Sequence, residues 1–357
     1  MRACDWMIAS VLATLALAAG PAVAAEAKSA PVPASASKVW TPRLTQWGDP
    51  DLTGTWPLDS LARTPFQRPE RLGDRALLTE AEFTAADKSA AEQRSRFDKE
   101  EKVGKLSVGH WTEYGKPLRQ TSLIVEPSNG RMPPMTEEGK RRAANMKSSW
   151  SHAVFDDMSD FNSLDQCITR GLPASMLPFP YNNGVRIFQG PGFVAIQLEI
   201  VHETRIIPLD GRPGLPHGMQ NWMGSSRGHF EGNTLVIETT HFNGQSPMVI
   251  VGPTNQPAPT STSMRIVERL TPTGPDTLQY EARIEDPEVL TAPWKMAFPW
   301  TRNDKYVLYE YACHEGNIQV AGYIRGTSPR FAAYRAQKKA EIEAAAHRAP
   351  PASAGGG

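Results

Sequence analysis

Cysteine is scarce in this chain, neither sign of charge is in excess, and extended apolar stretches end within the first two dozen residues. Three cysteines occur among 357 residues. Basic and acidic side chains balance at 38 each. Nucleic acids and anionic bilayers select a basic excess, so neither is an expected partner. Past Ala19 no segment approaches the ~20 apolar residues that a spanning helix needs, so no membrane insertion is expected. The catalytic signatures of phosphate loops, dinucleotide-binding folds, nucleophile elbows and H-E-x-x-H proteases are all missing. Their lack argues against nucleotide-dependent enzymes, α/β-hydrolases and zincins, and no cofactor is expected.

What is present begins with an export signal. Arg2 precedes an apolar stretch from Met7 to about Ala19, and Ala22-Val23-Ala24 supplies a small-x-small cleavage site. Residues 1–24 therefore read as a removable signal peptide, which implies a periplasmic or secreted chain. Cys4 leaves with it. Cys167 and Cys313 remain, and an oxidising compartment favours joining them in one disulfide. The Ala/Pro/Ser stretch 25–38 reads as a disordered tether and 349–357 as a disordered tail. Between them lies a single β-rich domain over 39–328 with an N-terminal helical wrap, followed by a C-terminal helix over 329–348.

Proline (31) and glycine (28) are plentiful, which suits short strands and many turns. Thr79 with Glu82 three residues on forms a capping box that opens a helix running to about Val103. A second helix is expected from Thr136 to about Lys147 and a third from Arg330 to His347. From Gly184 onward, β-branched and aromatic runs alternate with turn residues, the hairpin pattern. The expected pairs are Val185–Gln189 with Phe193–Glu199, Trp222–Phe230 with Leu235–Thr240, Met264–Leu270 with Thr277–Glu285, and Trp294–Trp300 with Tyr306–Ala312. Thr121–Glu126 and Arg205–Leu209 add two strands. In Thr277–Glu285, Leu278, Tyr280, Ala282 and Ile284 share one face while charged and amide residues share the other, so one face is buried. A long antiparallel meander removes its edges by closing, so a mainly β, lipocalin-like barrel with peripheral α-helices is expected, and a β-sandwich is the alternative.

Several strings together carry a family resemblance: DPDLTGTW (Asp49–Trp56), RIIPLDGRP (Arg205–Pro213), SRGHFEGNTLVIETTHF (Ser226–Phe242) and YACHEGN (Tyr311–Asn317). The chain resembles an abundant, largely uncharacterised family of exported bacterial proteins, which supports export and implies no particular activity. Gly54-Thr55-Trp56 is also similar to the Gly-x-Trp that opens lipocalin barrels.

Residues that could carry chemistry fall in a few clusters. His314 and Glu315 follow Cys313, where a disulfide would pin them at a strand end. Glu199, His202 and Arg205 bracket one bend, and an arginine beside a carboxylate and a histidine can hold an anion and relay a proton. These five are the candidate catalytic residues. Trp222, Arg227, His229, Trp294 and Tyr309 are the candidate ligand-binding residues. Glu238, Glu268, Glu281 and Glu310 lie in expected strands, outward by default. His202, His217, His229, His241 and His314 are scattered, without metal-ligand spacing, and no metal site is assigned. The expected function is binding of a small, partly apolar molecule, with cofactor-free acid/base chemistry open at the cavity mouth. A non-catalytic envelope binding or scaffold protein and a metal-dependent enzyme stand as alternatives. N-terminal sequencing of exported protein should begin within a few residues of Ala25; a chain retaining Met1 would contradict the export reading.

Overall fold

In the computed structural model, residues 40–348 are described, apart from 114, 116, 152, 217 and 252–255. The expected signal peptide, tether and tail, and His217, lie outside the described residues.

The hairpin signals translate into two main antiparallel sheets. A four-stranded sheet has the order β1 (Gly54–Thr55), β3 (Val185–Gly190), β4 (Phe193–Leu198), β5 (Thr204–Pro208). A six-stranded sheet has the order β2 (Ile124–Glu126), β12 (Trp294–Thr301), β11 (Thr277–Glu285), β10 (Arg265–Gly274), β7 (Thr234–Thr240), β6 (Ser225–Glu231). A small ribbon pairs β8 (Val249–Val251) with β9 (Gln256–Ala258). Both main sheets face one apolar core, to which β3–β5 send Ile187, Ile196 and Ile207 and β10–β12 send Ile266, Tyr280 and Phe298. Alternation in β11 runs as the sequence pattern requires: Leu278, Tyr280, Ala282 and Ile284 are buried. Register confirms the shared face, with Ile266 opposite Ile284 and Leu270 opposite Tyr280.

The expected closed barrel is not found. β5 and β6 lie side by side, yet no hydrogen-bonded ladder joins them among the described residues. The meander therefore stands as two sheets around a common core. The expected strand Tyr306–Ala312 is also absent, because β12 pairs β11 on one edge and β2 on the other. With both edges taken, the chain after β12 runs as an irregular strap.

Helices sit at the periphery. Helix α1 (Glu80–Lys102) starts where expected: the Thr79 hydroxyl accepts from the Glu82 N–H, and the Glu82 carboxylate accepts from the Thr79 N–H. It buries only Ala90, as its charge on most faces implies. Helix α2 (Glu137–Ala144) is capped by Thr136 and ends one turn earlier than expected. Helix α3 (Gln319–Thr327) has no counterpart in the sequence reading, and α4 (Ala332–Arg348) matches the C-terminal expectation. None of the described helices is long and apolar enough to cross a membrane.

One polar cluster is sealed inside the core. Arg205 from β5 and Glu268 from β10 form an ion pair with both side chains almost fully buried. The Tyr280 hydroxyl donates to Glu268 at 2.9 Å, and Arg205 also reaches the hydroxyls of Ser226 and Thr239. Burial works against the Arg205 charge, but Glu268 more than offsets it, and its pKa stands above the usual arginine value. Removing one partner of a buried pair leaves the other charge without compensation, at a cost of about 3–5 kcal/mol. Arg205→Ala should lose stability on that scale in urea unfolding, and Arg205→Met combined with Glu268→Leu should recover most of it. A loss below about 1 kcal/mol in the single variant would show the pair to be dispensable.

Candidate functional site

Between α2 and β3 the chain runs without a regular ladder, although much of it is buried. Buried backbone must find partners, and polar side chains supply them here. The Asn162 carbonyl accepts from the Leu164 and Asp165 N–H groups at 2.9 and 3.1 Å. Asp165 accepts from Ser149 and from the Asn162 amide. Burial raises its pKa above the usual carboxylate range, and these hydrogen bonds offset only part of that. Arg170 donates from Nη1 to the Leu177 carbonyl at 2.8 Å and from Nη2 to the Pro178 carbonyl at 3.1 Å.

These ties hold Leu177-Pro178-Phe179-Pro180-Tyr181 in a fixed, proline-stiffened path. The guanidinium of Arg170 lies 4.6 Å from the Phe179 ring centre, a cation–π contact. Phe179 meets Trp150 and Tyr181 edge-on, with ring centres at 5.7 and 5.0 Å. Tyr181 stacks on Tyr311 at 6.4 Å with planes 11° apart.

This aromatic ladder borders a cavity of about 620 Å3. Its walls come from Phe66 and Leu123, from Leu164, Ala174 and Leu177, and from Pro247 and Val249 beside the small ribbon. A second chamber of about 240 Å3 shares Trp150, Leu164, Phe179 and Tyr181 and extends to Tyr311, Cys313 and Tyr323. Two polar groups stand in the walls of the larger cavity without full partners. Thr64 is buried, and its hydroxyl has no hydrogen-bond partner among the described residues. Arg170 is half-buried and forms no ion pair among the described residues. Burial pushes its pKa down from the usual arginine value, and it stays charged at neutral pH. Other depressions differ in kind: a cleft beside Trp40, Arg43 and Trp56 is smaller, about 230 Å3. The groove between α3 and α4 is an open surface edged by Arg325, Arg335, Lys338 and Lys339.

The expected disulfide is present, with Cys167 and Cys313 bonded across 146 positions. It joins the strap after β12 to the cavity-forming segment. A second tie lies at Glu199, which is almost fully buried. Its carboxylate accepts from the Gly184 and Tyr309 N–H groups, each at 2.8 Å, and from the Asn182 amide at 2.9 Å. The Tyr306 hydroxyl lies 3.0 Å from both Glu199 and Glu113.

The ten candidate residues do not converge. Glu199 is a backbone anchor and Arg205 a core ion pair. His202 is exposed in the β4–β5 turn, in the left-handed region with φ at 58°. His314 and Glu315 are exposed on the strap. Trp222 is half-buried before β6, Arg227 donates to the Pro213 carbonyl, and His229 is exposed beside Glu231. Tyr309 is 69% exposed. Trp294 is fully buried and stands behind the cavity wall, edge-on to Phe66 at 5.7 Å. Among the described residues no group of His, Cys, Asp and Glu could hold a metal. The sequence reading missed Thr64, Trp150, Arg170, Phe179 and Tyr181. The one signal available was the run Pro178-Phe179-Pro180-Tyr181, in which prolines stiffen the backbone on either side of an aromatic.

No protein-family model and no curated protein matches the chain. Among solved structures, it is similar to a secretary abundant heat soluble (SAHS) protein from Ramazzottius varieornatus. That similarity has 12% identity and a TM-score of 0.22, covering 40% of this chain and 87% of the other.

Three tyrosines give the fold a pH signature. Burial, reinforced by neighbouring acidic or phenolic groups, raises the pKa of Tyr280, Tyr306 and Tyr311 above the usual value. Above about pH 10 the unfolded chain loses phenolic protons that the native state retains, so stability falls as pH rises. A fully buried tyrosine such as Tyr280 contributes at most about 1.4 kcal/mol per pH unit above that point, and the partly exposed Tyr306 and Tyr311 contribute less because solvent screens them. Urea unfolding between pH 9 and 11 should show this decline, shallower in Tyr306→Phe. A pH-independent stability across that window would contradict it.

Proposed function

We propose that the chain binds a small, partly apolar molecule in the cavity bordered by Trp150, Phe179 and Tyr181, and that it works outside the cytoplasm. The observation that carries this reading is an apolar cavity of about 620 Å3 whose wall holds a cationic side chain with no carboxylate partner among the described residues. Small-molecule sites are mostly apolar, span roughly 300–1,000 Å3, and use a few placed polar groups for orientation. Aromatic and aliphatic walls supply affinity through buried area, while Arg170 supplies orientation. The compartment follows from the Cys167–Cys313 bridge, which persists in oxidising surroundings. None of the five residues expected to perform acid/base chemistry lines this cavity, so the reading is one of binding, with no chemical step assigned.

A neutral, environment-sensitive naphthylamine dye tests the cavity. Its fluorescence should rise saturably with the wild-type protein. Ala62→Trp, which places a large ring in the cavity wall, should abolish the rise while leaving the melting temperature within a few degrees of wild type. Equal dye binding by folded Ala62→Trp and wild type would refute the site.

A further inference from the structure

We infer that the ligand is an aromatic monocarboxylate, its carboxylate received by the Arg170 guanidinium and its ring seated against Phe179 and Tyr181; this rests on the cavity reading above.

A guanidinium such as that of Arg170 carries five N–H groups. Two are used on the carbonyls of Leu177 and Pro178, and the other three meet no acceptor among the described residues. The cation is held in place by those two carbonyls and by the face of Phe179, so it is rigid before any ligand arrives. A fixed, incompletely paired guanidinium favours a planar anion that accepts two parallel hydrogen bonds, and a carboxylate has that shape.

Charge count narrows the class to a monoanion. Among the described residues, Arg170 is the only charged one lining this cavity. A doubly charged phosphate moved into the same apolar walls would leave one negative charge without compensation, at a large desolvation cost. One carboxylate brings the site to neutrality.

The walls narrow it further. Phe66, Trp150, Phe179 and Tyr181 present ring faces and edges, and Pro178, Pro180 and Pro247 present flat, stiff rings. A planar aromatic body fits between such surfaces with stacked or edge-on contacts and has few internal torsions to freeze. A flexible acyl chain would lose rotamer freedom on entering.

The test compares 2-naphthoate with its neutral isostere 2-naphthamide by titration calorimetry on the full, disulfide-bonded protein. Wild type should bind the naphthoate at least tenfold tighter. Arg170→Gln should abolish that preference while still binding the amide; binding of the amide shows that the variant retains the cavity. The ligand pair alone decides the matter on wild type if Arg170→Gln fails to fold. Amide binding as tight as naphthoate, blocked by Ala62→Trp, would overturn the carboxylate inference and leave the cavity reading standing. Binding of neither compound would overturn the aromatic monocarboxylate class, and a simultaneous failure of the neutral dye would take the cavity reading with it.

Discussion

A buried stretch of chain with no ladder to satisfy it shapes this molecule. Between α2 and β3 the backbone passes through the interior without strand partners, and its N–H and C=O groups must be met one at a time. Asn162, Asp165 and Arg170 do this from within the segment, and Asn183 and Glu113 do it at the far end, where Glu113 accepts from the Asn182 and Asn183 N–H groups at 2.9 and 3.2 Å. The disulfide and the Glu199 anchor then clamp the strap after β12 onto the same region. On the chain-entropy model, closing a loop of 146 positions is worth about 5 kcal/mol, most of it through the unfolded state. The cavity lies along this irregular segment, which supplies Leu164, Arg170, Ala174 and Leu177 through Tyr181 to its wall.

Two arginines show the difference between a structural and an available charge. Arg205 is matched by Glu268, whose carboxylate also takes the Tyr280 hydroxyl, and two further hydroxyls lie against it. That cluster is nearly saturated, so it ties β5 to β10 and offers little to a ligand. Arg170 has carbonyls and a ring face but no anion. Both side chains are desolvated, yet only the second borders open space. A cationic side chain kept in an apolar wall without its counter-charge is costly in the free protein, and a bound anion would remove that cost.

Sequence alone was informative where structure is local. The Thr79–Glu82 capping box, the helix start at Thr136, three of the four expected hairpins and the alternation of β11 all rest on local pattern, and the structure has them where the pattern put them. The disulfide was legible because only Cys167 and Cys313 lie beyond the expected signal peptide. Closure was not legible, since whether β5 bonds to β6 depends on the relative set of two sheets. Tyr306–Ala312 has the aromatic composition of a strand, but β12 has no free edge to offer it. Glu268 points inward because Arg205, 63 positions earlier, is there to meet it. The cavity was hidden for the same reason: its walls come from residues 62–66, 150, 164–181 and 247–249, which share no local pattern. The charged residues near strand ends are instead anchors, exposed turns and core pairs.

The account stands on the position of one guanidinium, and a crystal structure of the intact protein with 2-naphthoate tests it most directly. Electron density for the ring should fill the space beside Phe179 and Tyr181, with both carboxylate oxygens within hydrogen-bond distance of Arg170. A ring bound in the cavity with its carboxylate turned away from Arg170, or a ligand found only on the outer surface, would contradict it.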